Sequence, residues 1–149
     1  MKTFREAIES DIDQMTEVRL SVKENRLSDP NSITRADYKE YLFKRGKGWV
    51  CEIDNIIRGF SIADVEDHNI WALFVHPRYE KMGIGKSLHR MMLEWYFNTT
   101  VEKVWLSTAP GSRAETFYRK AGWIQVGQTV TGEIKFEMTL ELWKKNTNG

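Results

Sequence analysis

The sequence predicts an α/β chain built on a mixed, mainly antiparallel sheet of six to seven strands flanked by about four helices, and three observations carry that prediction. The first is the apolar run Ile70-Trp71-Ala72-Leu73-Phe74-Val75, closed by Pro77. It is too short for a buried helix and apolar without alternation, so it reads as a strand covered on both faces. The second is the recurrence of Ile84, Leu88, Met91, Met92 and Trp95 at helical spacing, which lays one face of a helix beginning near Gly83 on the sheet. The third is a succession of short strand-like runs separated by turn signals at Asp54-Asn55 and Thr131-Gly132.

In chain order, residues 3–8 read as a first strand, after which Ser10 or Asp11 caps a helix with Ile12, Met15, Val18 or Arg19, and Val22 on its stripe. Residues 25–34 hold Ser28, Asp29, Pro30, Asn31 and Ser32 and form a loop. Thr34 caps a second helix that carries Tyr38, Tyr41 and Leu42 and ends before Gly46 and Gly48. Residues 49–53 and 57–63 make a hairpin, and the acidic turn 64–67 leads into the apolar strand. Residues 101–108 form a further strand, Pro110-Gly111 breaks it, and residues 113–120 form a helix ended by Gly122. Two strands close the chain, 124–130 and an alternating 134–143 in which Phe136, Met138, Leu140 and Leu142 share a face. Residues 144–149 are expected to be disordered.

The 149 residues suit a single domain spanning 1–149, without repeat, low-complexity tract or linker. With 22 basic and 21 acidic side chains and a net charge of +1, no global field attracts nucleic acid, and none is expected as a partner. No run reaches membrane-spanning length and no apolar leader opens the sequence, so no membrane partner and a cytoplasmic location are expected. The lone Cys51 has nothing to pair with in the chain and sits in a strand-like run, the setting of a buried structural thiol. No ligand spacing for a metal is present.

The chemistry concentrates between the apolar strand and the helix after it. The first turn of a helix presents N–H groups without partners and a partial positive charge, and Gly83 and Gly85 let the backbone approach a ligand there. A pyrophosphate fits such a turn. Lys81 and Lys86 flank it, and Arg113, Arg119 and Lys120 add a cationic rim near the later helix. Gly85-Lys86-Ser87 matches only the tail of a Walker loop, whose earlier glycine is missing.

The block at residues 80–85 resembles the coenzyme A loop of the GNAT superfamily of N-acetyltransferases: Gln or Arg, two residues, Gly, any residue, then Gly or Ala. It departs from the pattern only in carrying Glu80 at the first position. A second block, Arg113-Ala114-Glu115-Thr116-Phe117-Tyr118-Arg119-Lys120-Ala121-Gly122-Trp123, resembles that family's other signature. An Asn common three residues before the Ala is replaced by Gly111, with Ser112 beside it. The resemblance implies a GNAT-like three-layer fold in which the apolar strand and the strand starting near Val101 are parallel neighbours that splay apart to admit the pantetheine arm.

It also implies the activity: transfer of the acetyl group of acetyl-CoA to a primary amine of a small molecule or protein, by direct attack in a ternary complex. Tyr118 is then the catalytic residue facing the departing thiolate. Cofactor contacts fall to Phe74 and Val75 on the strand, to Lys81, Met82, Gly83, Ile84, Gly85, Lys86 and Ser87 around the turn, and to Ser112, Ala114, Phe117 and Lys120 on the later helix. A backbone N–H near Phe74 or Val75 serves the oxyanion. The acceptor site draws on Asn25, Arg26, Leu27, Ser28, Tyr38, Tyr41 and Trp71, and a homodimer is a further implication. Relatives often carry Glu or His early in the central strand, where this chain has Asn69, Ile70 and Trp71, so Glu66, His68 and His76 qualify as bases only by nearness in sequence. That gap, together with Glu80 and Gly111, motivates a rival reading as a non-catalytic acyl-CoA-binding sensor or interaction domain, and the Walker-like tail a second as a nucleotide-dependent phosphotransferase.

Overall fold

The computed structural model describes residues 1–22 and 33–148. Seven strands form one sheet in the order β1-β2-β3-β4-β5-β7-β6. They are β1 (Lys2–Glu6), β2 (Gly46–Ile53), β3 (Ile56–Asp64), β4 (Asn69–Val75), β5 (Val104–Thr108), β6 (Ile124–Gln128) and β7 (Ile134–Met138). The helices are α1 (Ile12–Ser21), α2 (Arg35–Lys39), α3 (Ile84–Thr99), α4 (Arg113–Lys120) and α5 (Leu140–Asn148). Every strand pair is antiparallel except β4 with β5, which is the mixed, mainly antiparallel sheet expected.

Alternation along the strands divides the core in two. On one face Val50, Phe60, Ile62 and Ala72 meet Ile12, Met15 and Val18 of α1 and Tyr38 of α2. On the other, Cys51, Ala63, Val104, Leu106 and Phe136 meet Leu88, Met92 and Tyr96 of α3, Tyr118 of α4 and Trp143 of α5. Each fully buried side chain of Leu or Met size contributes about 1.5–3 kcal/mol, so the α3 face alone holds that helix firmly. A Cβ on Gly59 of β3 would come within 2.9 Å of Ile84 and 3.2 Å of Leu88. Its absence lets the first turn of α3 lie directly on the sheet.

The first helical segment opens through a turn in which Asp11 accepts the N–H of Ile8 at 2.8 Å and holds Arg5 through two bonds of 2.8 and 2.9 Å. Thr34 caps α2 by accepting the N–H of Asp37, as the sequence predicts. Beyond α2 the chain widens into a π-helical turn, Glu40–Lys44. Gly46 and Gly48, expected as helix terminators, are the first residues of β2. A Cβ on Gly46 would fall 1.7 Å from the carbonyl oxygen of Ala63, so that strand pairing itself demands glycine.

Strand boundaries differ from the sequence reading at several places: β1 spans Lys2–Glu6 rather than 3–8, and β2 opens at Gly46 rather than 49. β5 begins at Val104 rather than 101, because Val101 lies in solvent. β6 ends at Gln128. The largest difference is at the end of the chain, where the strand expected over 134–143 stops at Met138 and residues expected to be disordered form α5. Thr139 accounts for the switch: its hydroxyl accepts the N–H of Leu142 at 3.1 Å and its carbonyl the N–H of Trp143 at 2.9 Å, a helix start that seats Trp143 against α3.

Candidate active site

β4 and β5 are in register only at Asn69 and Trp105. At that end they are fastened: the N–H of Trp105 donates to the carbonyl of His68 at 2.9 Å, and the Asn69 amide donates to the carbonyl of Trp105 at 3.1 Å. Trp105 in turn gives its indole N–H to the carbonyl of Asp67 at 3.0 Å. Beyond this clasp the strands part. The groups of β4 that face β5 lose their ladder partners, an arrangement that invites a ligand's hydrogen bonds.

A cavity of about 830 Å³ opens beside the parted strands. Leu73, Phe74 and Val75 form one wall, Pro77, Tyr79, Glu80, Lys81 and the residues from Gly83 to Lys86 another, and Arg113, Ala114, Phe117 and Tyr118 of α4 a third. Gly83 takes a left-handed conformation, φ +79°, as the residue before α3, and no side chain caps the helix there. The amides of the first turn of α3 are therefore available at the cavity. A Cβ on Gly85 would meet only ordinary contacts, Val75 at 3.6 Å and Phe117 at 3.8 Å, so its bare backbone keeps space open rather than relieving a clash within the chain.

A second cavity, about 70 Å³, lies in the gap itself, lined by residues of β4 from Ile70 to Phe74, by Leu106, Ser107 and Thr108 of β5, and by Ala114 and Tyr118. Tyr118 lines both cavities and so stands where they meet. It is 6 % exposed, and burial raises its phenol above the ordinary range, keeping it protonated. Phe117, Trp123 and Phe136 surround its ring.

Of the residues expected at the site, Phe74, Val75, Lys81, Gly83, Ile84, Gly85, Lys86, Ala114, Phe117 and Tyr118 line the large cavity. Met82, Ser87, Ser112 and Lys120 do not. Met82 turns outward, its carbonyl taking the Lys2 ammonium. Ser112 caps α4: its hydroxyl donates to the carbonyl of Ala109 at 2.7 Å and accepts the N–H of Glu115 at 3.2 Å, which uses its one proton inside the chain. The amide of Gly111 donates to Glu115 at 2.8 Å. Glu80, the departure from the expected pattern, forms an ion pair with Arg113, and both line the cavity.

On the α1–α2 face, Tyr38, Tyr41 and Trp71 pack against one another. Tyr41 stacks on Trp71 with centroids 4.3 Å apart, and Tyr38 meets the same indole edge-on at 5.4 Å. Arg45, which sequence reasoning missed, sits over the outer face of Tyr41 and is fixed by Asp64 and Asp67 at 2.8 and 2.6 Å. Asn25, Arg26, Leu27 and Ser28 lie outside the described residues. The base candidates are not brought to the site. Glu66 is exposed on a turn, His68 is held 2.9 Å from the Tyr96 hydroxyl at the fastened end, and His76 accepts the N–H of Arg78. His89, also missed, is sealed behind Tyr118, accepts the indole N–H of Trp123 at 2.9 Å, and is pushed down to about 4 by burial. Among the described residues no cluster suited to a metal ion is present.

A parted parallel pair, a glycine-headed helix and a tyrosine at the junction of two cavities together make one long cleft. The chain belongs to the GNAT acetyltransferase family, whose sequence profile matches residues 12–123. No curated protein matches it. Among solved structures it is similar to the PaiA N-acetyltransferase of Thermoplasma acidophilum in complex with coenzyme A, at 14% identity and a TM-score of 0.80, covering 93% of this chain and 99% of that one. It is equally similar, with a TM-score of 0.80 at 16% identity, to a GNAT-family acetyltransferase of Staphylococcus aureus Mu50, over 94% and 99% of the two chains. A Bacillus anthracis protein crystallised with acetyl coenzyme A matches at 19% identity and a TM-score of 0.71, over 94% and 100%. At such identities the likeness is one of fold, and it agrees with the seven-stranded sheet and its flanking helices.

Proposed function

We propose that the chain is an acetyl-CoA-dependent N-acetyltransferase that delivers the acetyl group to a primary amine by direct attack. The observation that carries this reading is the parting of β4 from β5 beyond Asn69, with the large cavity beside it running from the first turn of α3 to Tyr118. In this reading the amides at Gly83, Ile84, Gly85 and Lys86 receive the pyrophosphate of the donor, and Lys81 and Lys86 supply cationic charge. The pantetheine arm runs along the unpaired edge of β4 past Phe74 and Val75, with Ala114 and Phe117 opposite.

Holding thioester and amine in attacking distance lowers the barrier by about 7–11 kcal/mol. An N–H of β4 near Phe74 or Val75 stabilises the developing oxyanion, and loss of one such donor typically costs about 2.7–4 kcal/mol. Tyr118 supports the departing thiolate. Because burial raises the phenol above its ordinary value, hydrogen-bond donation to sulfur is its main service, and complete proton transfer is the harder course. Of the three aromatics, Trp71 lines the small cavity and in this reading is the one that meets an acceptor, while Tyr38 is packed in the core and Tyr41, stacked between Trp71 and Arg45, backs it.

Thermal melting with acetyl-CoA, ATP and NADH tests the donor assignment. A ligand about a hundredfold above its Kd adds about 2.7 kcal/mol, which for this size raises Tm by roughly 5–10 °C. Stabilisation by acetyl-CoA alone is the expected result. A shift with ATP and none with acetyl-CoA contradicts the assignment and favours a phosphotransferase.

A further inference from the structure

We propose that Ser107 and Glu133 form the route by which the attacking nitrogen loses its proton, a step for which the sequence offers no convincing base. The inference rests on the acetyl-transfer reading and names the residues that serve the amine at that same site. Val104 and Leu106 of β5 belong to the core on the face that carries α3, α4 and α5, so by alternation Ser107 points to the opposite face of the sheet, the side of α1 and α2. There it lines the small cavity in the gap, the one Tyr118 also lines. Its hydroxyl donates to Glu133 Oε1 at 3.2 Å.

Glu133 sits just before β7 and is itself held in place. Its N–H donates to the Thr129 hydroxyl at 3.1 Å, and its carbonyl accepts the N–H of Thr129 at 2.8 Å. The nearest cation along the strand, Lys135, is occupied over the ring of Trp105 at 5.0 Å. Among the described residues the carboxylate has no ion-pair partner, and the side chain is only part-buried, so it keeps an outlet to water.

Once the nitrogen has bonded to the thioester carbon it carries a positive charge and an acidic N–H. Ser107 Oγ accepts that proton while its own hydroxyl hydrogen passes along the existing bond to Glu133 Oε1. One N–H and one O–H bond break and two O–H bonds form. The N–H electron pair stays on nitrogen, the carbonyl re-forms, and the C–S pair leaves on sulfur, which accepts a hydrogen bond from Tyr118 and takes its proton from solvent. Glu133 then returns its proton to solvent. Ser107 is the group that touches the amine, and Glu133 acts through it.

The test follows thiol release from acetyl-CoA with a panel of primary alkylamines, from ethylamine to 1,6-hexanediamine, for the unaltered chain, Glu133→Gln, Glu133→Ala, Ser107→Ala and the Glu133→Gln/Ser107→Ala double variant. Each single change is expected to lower kcat/KM for the amine by about a hundredfold or more, within the usual range for general-base catalysis. The double variant is expected to fall no further than the worse single one, since the two act as a unit. The acetyl-CoA Kd stays unchanged, and added formate restores rate to Glu133→Ala, which a purely structural role does not allow. Single variants within twofold of the unaltered chain, or losses that multiply, overturn the inference and leave acetyl transfer standing. Absence of amine-dependent thiol release by the unaltered chain overturns both.

Discussion

The carboxylate of Glu80 and the guanidinium of Arg113 meet in an ion pair that joins the turn before α3 to the first residue of α4. These are two walls of the large cavity, and the pair places a negative group where the proposed donor brings phosphates. Glu80→Gln removes that negative charge from the cavity wall. The Kd for acetyl-CoA is expected to fall about two- to fivefold, the scale of a partly exposed charge, and the gain shrinks in high salt. Calorimetric titration at two ionic strengths checks this, and unchanged or weaker binding contradicts it.

Tyr118→Phe keeps the ring that Phe117, Trp123 and Phe136 enclose and deletes only the hydroxyl at the junction of the two cavities. Turnover is expected to drop about tenfold or more while the acetyl-CoA Kd stays within twofold. Steady-state kinetics beside equilibrium binding separate the two effects. Equal turnover eliminates a role for the phenol.

Gly59→Val fills the space through which α3 reaches the sheet, where even a Cβ comes within 2.9 Å of Ile84. Overpacking of this kind costs about 1–3 kcal/mol. Because Ile84 and Gly85 are the first residues of α3, the displacement also moves the amides proposed to hold phosphate. A Tm lowered by several degrees together with weaker acetyl-CoA binding is expected. Full affinity in a destabilised variant shows that the first turn of α3 is not the anchor.

His89 gives a pH signature. Its imidazole is held near a pKa of about 4 in the fold, against an ordinary value of 6.5. Between those values the unfolded chain binds a proton that the folded chain refuses, so stability rises with pH across this window and is lost as pH falls from about 6.5 toward 4. The loss reaches about 3 kcal/mol at the acid end. Denaturant unfolding at pH 7 and pH 5 is expected to differ less for His89→Gln than for the unaltered chain, and equal differences contradict the assignment.

Much of this was legible in sequence because it is written locally. The apolar run of β4, the apolar spacing of α3 and the glycines between them are consecutive, and they define most of the large cavity without reference to the rest of the chain. The end of the chain misled for an equally local reason: Phe136, Met138, Leu140 and Leu142 keep strand periodicity, while Leu140 and Trp143 also satisfy a helical one. The helix start at Thr139 and the seat of Trp143 against α3 decide between them. Ser112 misled because a hydroxyl beside the family motif serves equally as a helix cap. Ser107 and Glu133 gave no signal at all. They stand 26 residues apart and meet only through the antiparallel register that sets Thr108 opposite Ile134. Stacking of Arg45 on Tyr41 likewise depends on the π-helical turn that precedes β2.

The most direct test of the account is the rate of thiol release from acetyl-CoA, with and without primary amines, with the acetylated product identified by mass. The account predicts release that depends on amine, saturates in both substrates and yields one acetylamide per thiol. Tight acetyl-CoA binding with no amine-dependent release across a broad amine panel contradicts it and makes the chain a sensor of the donor instead of a transferase.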